Sequence, residues 1–328
     1  FLDSATLREN VVSLARNIGY VPRSARSAMA TINFSVDLGT NDTRIVTLKA
    51  GQVALGNQVG GSYIFSIPDD FVATTGDNNV ATFNNLNIYE GIYLQKSFQI
   101  DYSQPNQRFI LPNANIDTTS IRVTVTSTTS EIYTLYDNIL RVDAESKLFL
   151  IQEIEDEHYE ILFGDGILGK KPPAGAIVTV SYIVTIGRLG NDAKNFSFVG
   201  ILEDDQGLSV TTGISLISTT NKASMGDDIE ETSSIKYLAP RIYSSQYRAV
   251  TASDYSGIIP FVYPNVESVT AYGGEELDPP EYGKVFISIK PRNGSFLSQI
   301  TKDDISRQLK QYSIAGIKPE IIDPVSYT

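Results

Sequence analysis

The chain has 328 residues, of which 41% are apolar, and a formal net charge of −12. That length predicts two or three compact units at roughly 100–200 residues each, with enough apolar side chains for real cores. The charge argues against nucleic acid or an anionic membrane surface as direct partners, because affinity for phosphates comes largely from Lys and Arg. Cys is absent, which excludes disulfide frameworks, thiol catalysis and Cys-ligated zinc. No run approaches the ~18 apolar residues a spanning helix needs. The chain begins with Phe1, so a fragment or processed piece of a longer protein is expected.

The first element is "SATLRENVVSLARNI", residues 4–18. Leu7, Val11, Leu14, Ala15 and Ile18 share one face of a predicted helix. Thr6 and Glu9 have capping-box spacing, Gly19 can end the helix and Pro22 prevents its resumption. That apolar face must pack on this domain or on a neighbouring subunit. From Ala28 the period falls to two, with Ala30, Ile32, Phe34 and Val36 on one side of "AMATINFSVD". Further strands are predicted at "RIVTL", "SYIFSI", "GIYLQKSFQI", "QRFIL", "IRVTVTS" and "EIYTLY". Turn signals such as "LGTND", "PDD" and "LPNAN" separate them, as in sandwich or barrel-like modules.

"KLFLIQEIEDEHYEILF" predicts a hairpin with an acidic tip, and "AIVTVSYIVTI" the next strand. Near Asn221 the pattern changes. "GDDIEETSSIKYLAPRIYS" is helical in tendency, with Pro240 kinking or ending it. Thr251 and Asp254 form a second capping-box pattern opening a helix through Ile259. "NVESVTAYG" and "KVFISIK" read as strands, "TKDDISRQLKQYS" as a helix capped by Thr301 with Asp304, and "IKPEII" as a closing strand. The order α-β-β-α-β over 250–322 predicts a small two-layer α/β domain.

Between 160 and 175 the sequence "EILFGDGILGKKPPAG" carries G-x-G-x-x-G at Gly164, Gly166 and Gly169, and nearly the G-x-x-x-x-G-K of an ATPase loop. Both fingerprints need a helix directly after the glycines, whose N-terminus holds the phosphate. Here Lys171, Pro172, Pro173 and Gly175 lead into another strand, and Lys171 stands where magnesium binding needs Ser or Thr. The expectation is a tight inter-strand connection with no bound nucleotide. His158 is the only histidine. It lacks a G-x-S-x-G partner for a triad and the companions of a zinc site, so a hairpin-tip role is expected. Glu153, Glu155, Asp156, Glu157 and Glu160 read as a solvated tip rather than a glycosidase pair, which needs two carboxyls across a cleft. A lone calcium there, or at Asp77 with Asn78 and Asn79, is an open alternative, although neither stretch has EF-hand spacing. The triplets at 41–43 and 293–295 have the N-x-[ST] form, which matters only in a secretory pathway. Arg241 and Arg248 flank "IYSSQY" and suit an interface or packing role better than catalysis.

Taken together, these motifs carry a resemblance. "EILFGDGILGKKPPAGAIVTVSYIVTIGRLGN" resembles a signature of the baseplate J-like family of contractile phage tails. Its marks are Phe163, Gly164, Asp165, Gly166, Gly169, Pro172, Pro173, Gly175 and Tyr182, closing on Gly187, Gly190 and Asn191. "SLARNIGYVPRSARSAMATINFSV" with "TLKAGQVALG" and "YIFSIPDDF" is similar to the family's amino-terminal pattern. "ASMGDDIEETSSIKYLAPRIYSSQYRAVTASDYSGII" resembles its most specific segment, through Ala239, Pro240, Arg248, Thr251, Asp254 and Tyr255. The resemblance covers most of the chain and points to the carboxy-terminal half of a wedge subunit, with residues 80–140 less typical.

The resemblance implies a non-enzymatic structural protein of the virion tail baseplate, assembled in the host cytoplasm. It implies an inner ring around a central hub, two copies joining a smaller wedge protein in each of six wedges, and a ring that rearranges on sheath contraction. The implied partners are a second copy in a homodimer and other baseplate wedge proteins. No cofactor, metal, small-molecule substrate, nucleic acid or membrane is expected. The expected fold is α+β and β-rich, with antiparallel β modules, an N-terminal helix and a C-terminal two-layer α/β domain. The expected divisions are 1–79 (helix plus core β module), 80–145 (β-rich insertion), 146–220 (core β domain continued) and 221–328 (α/β domain). A β-rich carbohydrate-binding or adhesin module is the alternative.

Overall fold

The computed structural model describes residues 2–39, 44–58, 61–76, 78–104, 106–136, 142–246, 248–263, 266–292, 296–297, 299–314 and 316–323. Asp77 and the triplets at 41–43 and 293–295 lie outside the described residues. The chain forms two compact units, Ser24–Ile229 and Phe1–Arg23 with Glu230–Thr328. Most of the described secondary structure is strand, in largely antiparallel sheets.

The Ser24–Ile229 unit opens with β1 (Met29–Asp37), followed by β2 (Ile45–Leu48), β3 (Gly51–Gln58), β4 (Gly61–Ile67), β5 (Phe71–Thr74) and β6 (Val80–Glu90). Ala30, Ile32, Phe34 and Val36 are buried, as the alternation in β1 requires. β1 pairs with β6 and with β16 (Ser218–Ser224). β14 (Lys194–Phe198) completes an antiparallel sheet of order β14-β3-β4-β6-β1-β16. β2, β5 and the short β15 (Leu202–Glu203) form a second, three-stranded layer. Both layers bury side chains in one core, with Val46 and Leu48 against the face that holds Ile32, Phe65 and Phe83. The Phe34 and Phe83 rings stack at 4.6 Å.

One residue, Gly91, separates β6 from β7 (Ile92–Gln99), the first strand of another sheet. The remaining strands are β8 (Phe109–Leu111), β9 (Ile116–Thr126), β10 (Ser130–Leu135), β11 (Leu148–Glu153), β12 (Tyr159–Phe163) and β13 (Ile177–Val184). Their order is β7-β13-β9-β10-β11-β12-β8, antiparallel except for the β10–β11 pair. This sheet has its own core around Val123, Phe149, Ile161, Val180 and Tyr182. All its strands fall within 92–184, so segments assigned by the sequence to an insertion at 80–145 and a continued core at 146–220 share one sheet. β6, placed at the head of that insertion, instead pairs with β1 and β4.

In the other unit, α1 (Arg8–Asn17) packs on α2 (Thr232–Ser245), so the helix grouped with the core β module at 1–79 folds with the carboxy-terminal segment. Val11, Val12 and Ala15 meet Ile235, Leu238, Ala239 and Ile242. The apolar face is thus covered by the chain's own α2, leaving Leu7 57% exposed beyond the contact. Buried Glu230 ties the two ends together. Its carboxylate accepts from Tyr20 Oη (2.7 Å), Ser234 Oγ (2.8 Å) and Arg23 N (3.0 Å). α3 (Ala252–Val262) and α4 (Gln299–Leu309) pack on a sheet of β17 (Val266–Gly273), β18 (Lys284–Pro291) and β19 (Lys318–Ile322). The β17–β18 pair is antiparallel and the β18–β19 pair parallel.

Two local expectations, both of helix caps, need correction. α1 starts at Arg8 with Leu7 as an N-cap that makes no side-chain bond. Glu9 therefore stands two residues past the cap, where it cannot form the box expected with Thr6. Thr301 lies inside α4, which begins at Gln299, and so is not its N-cap. Pro240 sits within α2 without ending it. The apolar contact with α1 spans this site and offsets the lost hydrogen bond.

That contact sets a measurable stability. Leu238→Ala should lower the unfolding free energy by about 2–5 kcal/mol in a denaturant titration, the usual range for a buried Leu. A loss below about 0.5 kcal/mol, the range of ordinary surface changes, would contradict the α1–α2 packing.

Candidate functional site

The glycine motif occupies the connection from β12 to β13. Phe163 closes β12, its ring edge-on to Phe109 (5.5 Å) and Tyr133 (5.6 Å). The chain then reverses. Gly166 N donates to Gly169 O at 3.0 Å, with φ of 91° and 86° at these two glycines. A Cβ on Gly164 would lie 2.3 Å from the Gly169 carbonyl carbon, so only glycine permits this approach.

Asp165 Oδ1 accepts from Ile167 N (2.8 Å) and Leu168 N (2.9 Å). These two backbone donors hold its pKa below the ordinary carboxylate value. Gly169 N donates to Asp143 O (3.0 Å) and Lys170 N to Ser146 O (2.7 Å). Every N–H from 166 to 170 is thereby engaged within the protein, two of them by the carboxylate of Asp165. No helix follows. Lys170 pairs with Glu131 of β10 at 2.8 Å, as does Lys147 at 3.1 Å. Lys171 lies 4.0 Å above the Tyr102 ring, whose Oη donates to Pro172 O at 2.5 Å. The geometry is that of a strapped turn between strands.

At the other end of β13 stand Gly187, Gly190 and Asn191. Here the inserted sheet rejoins its parent. Glu90, the last residue of β6, is 3% exposed. Its Oε2 accepts from Thr185 Oγ1 (2.5 Å) and Ile186 N (3.2 Å), while Thr185 Oγ1 accepts from Gly187 N (2.9 Å). Burial pushes the Glu90 carboxyl up, these two hydrogen bonds oppose the rise, and nearby Asp117 adds to it. A Cβ on Gly91 would lie 2.5 Å from Val184 O, and one on Gly190 would lie 2.6 Å from Glu90 Cγ. Asn191 exchanges two hydrogen bonds with Gly226, Nδ2 to O (2.9 Å) and N to Oδ1 (2.8 Å). Arg188 pairs with Asp227 at 2.7 Å. The chain therefore leaves the parent sheet at Gly91 and returns at 185–187 through one buried joint.

The third motif lies in the other unit. Thr251 and Asp254 form the expected capping box. Asp254 N donates to Thr251 Oγ1 (3.2 Å), and Thr251 N to Asp254 Oδ2 (2.9 Å). Tyr255 is fully buried and donates to Ser313 Oγ at 3.2 Å. Pro240 and Arg248 are exposed.

His158 closes the turn after Glu155–Glu157 through backbone bonds to Ile154 and Glu155. Glu160 departs from the solvated tip. It is buried in β12 and takes a two-point bond from Arg108, both 2.8 Å. No cluster of metal-ligating side chains occurs among the described residues. Glu90, Glu131 and Glu230 were missed from sequence. For Glu90 a signal existed, since it continues the inward series Ala81, Phe83, Leu86, Ile88 and directly precedes a glycine.

The larger unit is thus β-rich and built of two modules with separate cores, its glycine motifs engaged in turns and joints. Comparison with known proteins makes this specific. Residues 96–193 match the family described as bacteriophage baseplate wedge protein gp6, third domain, and residues 251–322 match baseplate structural protein gp6, C-terminal domain I. The baseplate wedge protein gp6 of Enterobacteria phage T4 is 26% identical over 342 aligned positions, covering 99% of this chain and 50% of that protein. The chain thus spans about half the length of the curated relative it matches. Among solved structures, the anti-feeding prophage baseplate overlaps at 15% identity and a TM-score of 0.32, over 98% of this chain and 62% of that one. The type VI secretion TssK-TssF-TssG baseplate subcomplex overlaps at 8% identity and 0.39, over 94% and 90%. Neither overlap is close enough to argue from. The sequence matches support a gp6-like baseplate protein with a structural role.

Two outcomes test the geometry. ATP or NAD should leave the melting temperature unchanged, and a saturable rise would mean the 164–170 turn opens to phosphate. For Glu90, the raised carboxyl favours the folded state while protonated, and that advantage is lost as pH rises from the ordinary carboxylate range through the raised value. Glu90→Gln keeps an acceptor for Thr185 and Ile186 and carries no charge. Its stability relative to the parent should therefore improve between pH 4 and pH 8 in paired urea titrations. A relative loss over that range would show that the buried charge is favourable.

Proposed function

We propose that this chain is a structural component of a contractile-tail baseplate wedge of the baseplate J-like kind, acting without catalysis. It pairs with a second copy and with other wedge proteins to link wedges into an inner ring, and this ring rearranges when the sheath contracts. It works in the virion tail, after assembly in the host cytoplasm. The observation that supports this most is the gp6 likeness running through 99% of the chain, with domain matches on two separately folded modules.

The engaged N–H groups of the 164–170 turn and the buried joint at Glu90 suit a part that carries load between modules. Phe163, Gly164, Asp165, Gly166, Gly169, Gly190 and Asn191 act in this reading as positioning residues for strands. Thr251, Asp254 and Tyr255 do the same for α3. Pairing with a second copy has to use a surface other than the α1 face, since α2 covers it. Exposed apolar side chains elsewhere, such as Ile167 at 76% and Leu216 at 95%, supply other surface.

Tails assembled without this protein should lack closed baseplate rings in negative-stain images. Intact rings in its absence would overturn the proposal. Sedimentation of the purified chain should show a dimer, and a strict monomer at high concentration would remove the pairing.

A further inference from the structure

We propose that the groove between α2 and α3 is a docking site for an acidic segment of another baseplate protein, with Arg241 as its anchor. This rests on the structural baseplate role above and names the chemistry of one contact. The groove holds about 210 Å³ and is lined by Tyr237, Arg241 and Ser244 of α2 and by Ser253, Ser256 and Gly257 of α3.

The Arg241 guanidinium carbon lies 3.5 Å from the Tyr237 ring centroid, and Nη1 donates to Tyr237 O at 2.8 Å. Stacking and this one bond fix the plane of the guanidinium, so little side-chain freedom is left to lose on binding. Its other donors have no partner among the described residues. No carboxylate of a described residue pairs with it, although the chain carries 38 acidic and 26 basic residues. Arg108, Arg122 and Arg188, by contrast, are each paired with a carboxylate. Asp254 also lines the groove, but its Oδ2 is engaged by the N–H groups of Val250 and Thr251.

The walls are built to admit a chain. A Cβ on Gly257 would meet nothing within 4 Å, so that helix face opens directly onto the groove. The lining serines are small, and Ser256 and Ser244 donate their hydroxyls to Ser253 O and Arg241 O. Tyr237, on the groove, is 56% exposed. Exposed Tyr beside a pre-oriented Arg is the composition of interface anchors, and the guanidinium fork fits a carboxylate in a two-point bond. The groove lies beside the "YLAPRIYSS" stretch, from which Tyr237 and Arg241 line it and are exposed.

The test uses the protein as the tail carries it. Arg241→Glu, Arg241→Lys and a control reversal at exposed Lys194, Lys194→Glu, are introduced separately. Incorporation into wedge assemblies is measured by sedimentation, and each variant is melted. Arg241→Glu should lower incorporation at least tenfold, Arg241→Lys less, and Lys194→Glu not at all, with melting unchanged. Should Arg241→Glu melt early, Arg241→Gln supplies the same comparison without a reversed charge. Incorporation of Arg241→Glu at the parent level would overturn the docking site. So would a loss confined to self-association of the purified chain, because the occupant would then be a second copy. If rings form even when the protein is deleted, the baseplate role itself fails. If deletion removes the rings and Arg241→Glu does not, only the docking site fails.

Discussion

The architecture of the larger unit depends on one crossing point. β6 ends at Glu90, Gly91 turns the chain into a second sheet of seven strands, and Thr185 brings it back beside the residue where it left. Two chain passages this close leave no room for a side chain at Gly91, where a Cβ would press on Val184 and Ile183. They also trap a carboxylate away from water. That carboxylate is tolerated because Thr185 and Ile186 satisfy it, and a buried acid left unsatisfied would cost the full desolvation penalty. The inserted sheet is thereby fixed at both of its ends, instead of swinging on a single linker.

The motif at the far end of β13 obeys the same logic. Its glycines look like a phosphate cradle because a phosphate cradle and a tight strand-to-strand turn need the same thing, backbone that can approach closely at positive φ. What separates them is where the N–H groups point. Here they point to Asp165, Asp143, Ser146 and each other. The two glycine motifs stand at either end of one strand, one closing the β12–β13 connection and the other closing the joint with the parent sheet.

Much of this was legible in the sequence, and the gaps have physical causes. β1 announces itself because Ala30, Ile32, Phe34 and Val36 fall on one buried face, and β13 because it is a β-branched apolar run, with Val180 to Ile183 all buried. The capping box at Thr251 and Asp254 is visible because both partners are local. β6 went unread because Asn85, at φ 52°, inserts a bulge that breaks the period of two, and Thr82, Asn84 and Asn87 fill its outer face. α1 reads correctly as amphipathic, but its partner is α2, more than two hundred residues on, and no local pattern encodes that choice. Pro240 falls inside α2, which runs on to Ser245 with its apolar side against α1. Lys170 is legible as a residue but not as a partner of Glu131, since ion pairs between distant strands leave no mark on spacing.

In the proposed role the ring rearranges on contraction, and packed cores change by discrete repacking at interfaces, not by bending. The joint at Glu90 and the strapped turn at 164–170 both lie inside Ser24–Ile229, so in that role this unit is expected to move as one piece. Cryo-electron microscopy of whole tails before and after sheath contraction tests this most directly. The account predicts that the chain lies in the baseplate in both states and that the 92–184 sheet keeps its orientation to its parent sheet. Absence of the chain from the baseplate, or a rotation of that sheet about Gly91 between the two states, would contradict it.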